Sequence, residues 1–255
     1  MFEILPEILL DPYTSVLLIV SSLIMGMSRG GLGGGLGLLG VLLAAQVMSP
    51  IEAAAFMLPI LITTDPISML IYRRSIDWQS LRELLPGVLI GLLIGTLLIS
   101  SISIQMLQAI IGALSLSLVF NGLRDMYGKK KLYSLSKLWG FGLGTLAGFS
   151  SFLIHAGLPP VAAYILPKKL PRAKFMGTTA VFFGITNLIK VIPYFGLGLF
   201  SFELAKLTLI MIPISLIGIW IGRIVNKKIS DKIFYLVVYF SVCALGIRLL
   251  FLAVF

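Results

Sequence analysis

The chain has 255 residues, 58% of them hydrophobic and only 12% charged, about half the charged fraction of a typical soluble domain. Its long apolar runs leave no polar face to meet water, which excludes a soluble fold and predicts an all-α polytopic membrane protein. The formal charge of +10 comes from Lys and Arg concentrated in four short polar stretches. With no aromatic interleaving and no nucleic-acid module, they read as positive-inside topology signals, and no nucleic-acid partner is expected.

The N-terminus carries Glu3, Glu7 and Asp11 in place of a basic leader, so no cleavable signal peptide is expected. Residues 13–48 are too long for one helix, and both flanks are acidic or neutral. They are predicted to enter the bilayer and turn back as a re-entrant or broken-helix hairpin, with its turn within Ser28–Gly37. That stretch holds six glycines but lacks the preceding strand and the lysine of a phosphate loop. Its glycines either let helices pack closely in lipid or break the helix and bring backbone amides to a ligand. Arg29 offers a planar donor fork for carboxylate, sulfonate or phosphate oxygens. It favours the second reading, which makes Ser28, Arg29, Gly30, Gly31, Gly33, Gly34 and Gly35 candidate binding residues.

A span is predicted at 53–72, with Asp65 at membrane depth just before Pro66; embedded charges mark function by default. Asp65 is either a proton-coupling carboxylate or the structural partner of Arg29 or Lys190. A basic stretch with Arg73, Arg74 and Arg82 follows, then spans at 84–100 and 104–122, then a basic cytoplasmic linker at 123–138. Residues 139–166 begin and end beside basic loops, so they too must turn back, at His155–Pro160. His155, the only histidine, reads either as proton relay and substrate contact or as a hydrogen-bonded structural group. Ala156, Gly157 and Pro159 share its turn. The next span, 174–194, carries Asn187 and Lys190; Lys190 either faces a cavity or snorkels outward. Spans at 203–222 and 233–254 complete the chain, and Arg248 in the last is expected to snorkel. Cys243, the only cysteine, permits no internal disulfide or cysteine-based metal cluster. No nucleophile–base arrangement, paired carboxylates or clustered metal ligands stand out, so neither an enzyme nor a metal or cofactor site is expected.

The two halves resemble each other. Leu85–Gly95 matches Ile212–Gly222 at an offset of 127, while Gly26-Met27-Ser28 matches Gly148-Phe149-Ser150 at an offset of 122. At the smaller offset Tyr72 meets Tyr194 and Asp65 meets Asn187. An insertion near Gly196–Phe200 accounts for the difference. With basic loops placed inside, the first half (1–122) runs from outside to inside and the second (139–255) from inside to outside. The expected fold is therefore two inverted-topology repeats, each a hairpin plus three transmembrane helices, with both termini outside. Such repeats can expose a midplane site alternately to the two sides, and broken helices suit an anion there.

Several stretches carry a family resemblance: Gly26–Gly37; Leu58-Pro59-Ile60 with Asp65; Tyr72-Arg73-Arg74 before Asp77-Trp78; Phe152–Pro160; Tyr164–Pro167; and Gly177-Thr178-Thr179 with Phe182-Phe183 and Asn187–Lys190. Together they make the chain similar to the sulfite exporter TauE/SafE family over nearly its whole length. The resemblance implies a bacterial inner-membrane permease for sulfite, sulfoacetate or related organosulfur anions, usually in the export direction. Leu158 departs from similar sequences, which often carry glycine there. The expected function is secondary transport of a small anion by alternating access, with proton coupling as an option. The alternatives are a passive anion channel or a membrane structural or assembly factor. The small anion and the lipid bilayer are the expected partners, and a homo-oligomer stays open.

Overall fold

A computed structural model describes residues 11–32, 35–99, 101, 103–127 and 136–254. The described residues form ten α-helices and one short 3₁₀ turn, with no strand among them. In chain order they are α1 (Pro12–Gly31), α2 (Gly35–Ala44), α3 (Pro50–Tyr72), α4 (Trp78–Leu98), α5 (Ile104–Tyr127), α6 (Lys137–Ile154), α7 (Leu158–Ile165), α8 (Arg172–Gly196), α9 (Phe202–Lys228) and α10 (Asp231–Val254). The 3₁₀ turn Leu166–Lys168 extends α7. Six of them, α1, α3, α4, α8, α9 and α10, are long and apolar enough to cross a membrane. The spans expected from sequence at 53–72, 84–100, 174–194, 203–222 and 233–254 fall on five of these. The sixth is α1, whose 20 residues reach about 30 Å. The first hairpin thus has one arm long enough to cross and one short arm, α2, of 10 residues. In α5 only Ile104–Phe120 is apolar, because Arg124 and Asp125 end the run. The leading Glu3 and Glu7, the glycines Gly33 and Gly34, and Lys129 to Lys131 of the basic linker lie outside the described residues.

Local chemistry explains where the helices start. Asp11 caps α1 by accepting from the Thr14 backbone N–H at 2.8 Å and from its hydroxyl at 2.6 Å. These bonds, the hydroxyl's first, hold the Asp11 carboxyl below its ordinary pKa. Pro12 follows at the first helical position, where its missing N–H costs nothing. Ser49 and Glu52 form a reciprocal capping box at the start of α3.

Each half contributes a long-arm, short-arm hairpin followed by three long helices, and the pairings between halves are reciprocal. The α1 helix packs along α9, and α6 packs along α4; α3 faces α8, and α5 faces α10. Glycines make the first two pairings tight. A Cβ on Gly26 of α1 would sit 1.9 Å from the Ser215 carbonyl oxygen of α9, and one on Gly148 of α6 would sit 2.4 Å from that of Val88 in α4. In the opposite sense, a Cβ on Gly218 would meet the Leu23 carbonyl at 2.3 Å, and one on Gly91 that of Thr145 at 2.0 Å. Each contact in one half has its counterpart at the sequence offsets of 122 and 127, so the repeat visible in sequence is also a repeat of packing. Small residues at backbone-to-backbone contacts are the usual means by which helices associate in lipid.

Candidate functional site

The site lies where the ends of the two long arms meet the middles of α3 and α8. Arg29 is in the last turn of α1, and its Nε lies 3.0 Å from Asp65 Oδ1 of α3. The distance makes an ion pair, although the N–H is not aligned for a hydrogen bond. Asn187 of α8 donates its amide N–H to the other oxygen, Asp65 Oδ2, at 2.6 Å. Asp65 and Asn187 are repeat partners, 122 residues apart, so this bond joins equivalent positions of the two halves. Both side chains are buried, Asp65 at 2% exposure and Asn187 at 1%.

Lys190, one helical turn beyond Asn187, is wholly buried. Its ammonium meets the Ser151 carbonyl at 3.0 Å, the Ser151 hydroxyl at 3.2 Å and His155 Nδ1 at 2.8 Å. Three acceptors match the three N–H donors of a charged lysine. The other imidazole nitrogen, His155 Nε2, lies 2.9 Å from the Ala54 carbonyl oxygen of α3. A carbonyl only accepts, so Nε2 carries the hydrogen and Nδ1 presents a lone pair to Lys190; the imidazole is neutral. Its backbone is left-handed (φ 53°) and closes the C-terminus of α6.

The repeat relation extends to these contacts. Ser68 Oγ donates to the Arg29 carbonyl at 2.8 Å, and Lys190, its counterpart, donates to that of Ser151, the counterpart of Arg29. Tyr72 donates its hydroxyl to the Gly30 carbonyl at 3.0 Å, and Tyr194 to that of Phe152 at 2.6 Å. Each half therefore contributes one cation, on the hairpin in the first half and on the long helix in the second. By formal charge the set comprises two cationic residues and one carboxylate, an excess of one, with Lys190 and Asp65 buried and Arg29 half-buried.

Arg29, Ser151, His155, Leu158, Phe183 and Asn187 line a cavity of about 20 Å³, room for a single water. The Arg29 guanidinium stacks over the Phe183 ring at 5.0 Å. Asn187 Oδ1 is buried with no hydrogen-bond partner in the structure, so it has capacity for a ligand proton or water. Ser28 Oγ is likewise unpartnered, close beneath Gly37.

The remaining candidates lie elsewhere. Gly30 and Gly31 are helical and face α9: a Cβ on Gly30 would strike the Ile219 carbonyl at 2.1 Å, and one on Gly31 the Asn226 side chain at 2.4 Å. Gly35 begins α2. The amides expected to face a ligand at the second turn are used internally: the N–H groups of His155 and Ala156 donate to the Ser151 and Ser150 carbonyls at 3.2 Å. Gly157 is wedged among Ala147, Ser151 and Phe183, and Pro159 is buried at the start of α7. Side chains thus supply the donors here. Ser151, Phe183 and the Ala54 carbonyl are participants that the sequence reading did not single out. Ser151 stands opposite Arg29 at the 122 offset, which is the signal that marks it.

One family model, described as sulfite exporter TauE/SafE, matches residues 17–249. The chain belongs to that family. It is accordingly a multi-pass membrane protein of a transporter family. No curated protein and no solved structure shows significant similarity to it.

Proposed function

We propose that the chain is a secondary transporter that moves a small oxyanion, sulfite or an organosulfonate such as sulfoacetate, across the cytoplasmic membrane by alternating access. The observation that carries this reading is the half-buried Arg29 with the buried Asp65 and Lys190, by formal charge one cation in excess, beside a cavity at the junction of the two halves. An anion entering there completes the charge balance that the protein leaves open, and burial makes that balance strong. Arg29 supplies the planar fork, Lys190 the second charge, and His155 holds Lys190 through its lone pair. The cavity must widen to admit an oxyanion, so the state described is an occluded one. The two halves take opposite orientations in the bilayer, with both termini outside. Asp65 is the coupling group: a proton arriving on it frees Arg29 for the substrate, and its loss restores the ion pair.

Purified protein in liposomes tests the proposal with labelled sulfite. Saturable uptake with counterflow is expected. Arg29→Gln should weaken it on the order of 10–100-fold, as loss of a hydrogen bond to a charged group implies. Asp65→Asn should keep exchange but lose accumulation driven by a proton gradient. Linear flux without counterflow would replace the transporter with a passive channel, and no flux of any anion would point to a structural or assembly role.

A further inference from the structure

A second chamber, of about 270 Å³, lies between α2, the start of α5 and the end of α10. Its walls are largely apolar, but three polar side chains reach it: Gln105 and Gln108 of α5 and Arg248 of α10. Arg248, expected from sequence to snorkel, is exposed, as is Gln105; Arg248 lines the open side of this chamber, with its guanidinium 5.8 Å from the Phe251 ring. Among the described residues no carboxylate lies within ion-pair distance of Arg248. Leu38 and Val41 of α2 line both this chamber and the central cavity, and Ile154, next to His155 in the chain, also lines the chamber. A single short helix is therefore the partition between the two spaces. In the other half the repeat counterparts of Leu42 and Gln108 are the bulkier Tyr164 and Tyr235, whose hydroxyls bond to Glu83 and to the Leu170 carbonyl.

We infer that this chamber is a second anion-binding site at the outer mouth of the transport path, where Arg248 and the Gln105 and Gln108 amides hold a small oxyanion outside the α2 partition. The cation supplies attraction, and the two amides supply uncharged N–H donors. The volume suits a sulfonate or sulfite-sized ion, which the central cavity does not admit in this state. The word "outer" rests on the proposed orientation; the binding chemistry does not.

The test uses full-length protein in a Cys243→Ser background with one new cysteine, Gln108→Cys. Sealed vesicles of known orientation are exposed to two membrane-impermeant thiol reagents of similar size, anionic methanethiosulfonate ethylsulfonate and its cationic trimethylammonium analogue. Rates are normalised to those with a free thiol. The anionic reagent should react faster from the outer side, on the order of tenfold. Arg248→Gln should erase that preference, and Arg248→Lys should keep it. Gln105→Cys serves as a second reporter if Gln108→Cys fails to fold. Equal normalised rates with Arg248 present would overturn the assignment, as would no reaction at either reporter. Charge preference seen only from the inner side would overturn the outer placement and the proposed orientation, leaving the anion site standing. Charge preference without sulfite counterflow would confirm the site and sink the transport reading alone.

Discussion

At the scale of single residues, His155 combines two requirements that can be separated. Its side chain links Lys190 to the Ala54 carbonyl, and its backbone sits in the left-handed region (φ 53°). Asparagine tolerates that conformation, whereas a β-branched residue is strained there. His155→Asn should keep the backbone conformation but lose sulfite flux and some stability, because Lys190 then loses its lone-pair partner. His155→Val should also destabilise, by about 1–2 kcal/mol for the backbone alone, read as a drop of several degrees in a thermal melt. Equal stability of the two variants would show that the backbone imposes no such demand. Arg29, Asp65, Asn187 and Lys190 were legible in sequence because polar groups embedded in apolar runs are costly unless they have work to do. Ser151 and the Ala54 carbonyl were not: a serine is cheap in a membrane helix, and a carbonyl has no sequence signature.

At the scale of elements, hydropathy and loop charge placed both hairpins and most of the long helices. Sequence gave no means to divide the glycines between ligand contact and packing. Gly30 and Gly31 carry the same glycine-rich signature as Gly33 and Gly34, yet they press on α9. The distinction depends on which face of α1 meets a partner helix, which is set by tertiary contact. Gly218 and Gly91 occupy equivalent contacts, so Gly218→Ala and Gly91→Ala should lower stability by similar amounts, about 1–3 kcal/mol each. Gly142, also in a helix but with nothing within 4 Å of a built Cβ, should respond oppositely. Gly142→Ala gains up to about 1 kcal/mol of helix propensity. Thermal melts of the three variants in detergent check the contrast, and a stabilised Gly218→Ala would refute the tight α1–α9 contact.

For the whole molecule, the two halves share packing but differ in how the short arms are held. Glu83 of α4 accepts from the Tyr164 hydroxyl and from Lys168 at 3.3 Å, and Lys168 also donates to Ser80 at 2.8 Å. This network ties α7 to α4. The repeat counterparts of Tyr164, Glu83 and Ser80 are Leu42 in the first half and Ile210 and Leu207 in the second, so no such tie is repeated at α2. Glu83→Gln should weaken the tie by about 1–2 kcal/mol and speed amide exchange in α7 roughly 5–30-fold, with α2 unchanged. Unaltered exchange in α7 would mean that apolar packing alone holds it. This asymmetry has no sequence signature, because Glu83 and Lys168 sit beside loops, where charges are ordinary.

The glycine-lined pairings carry a mechanical consequence. Each joins a helix of one half to a helix of the other, α1 to α9 and α6 to α4, with backbones in direct contact. Pulling the halves apart as two blocks would break both seams at once, at their least compliant points. If the protein works by alternating access as proposed, the boundary between duplicated sequences is therefore not the boundary between its moving parts. Any rocking motion must divide the molecule along a different line, carrying α1 with α9 and α6 with α4 as composite levers, while α3 and α8 bear the site between them.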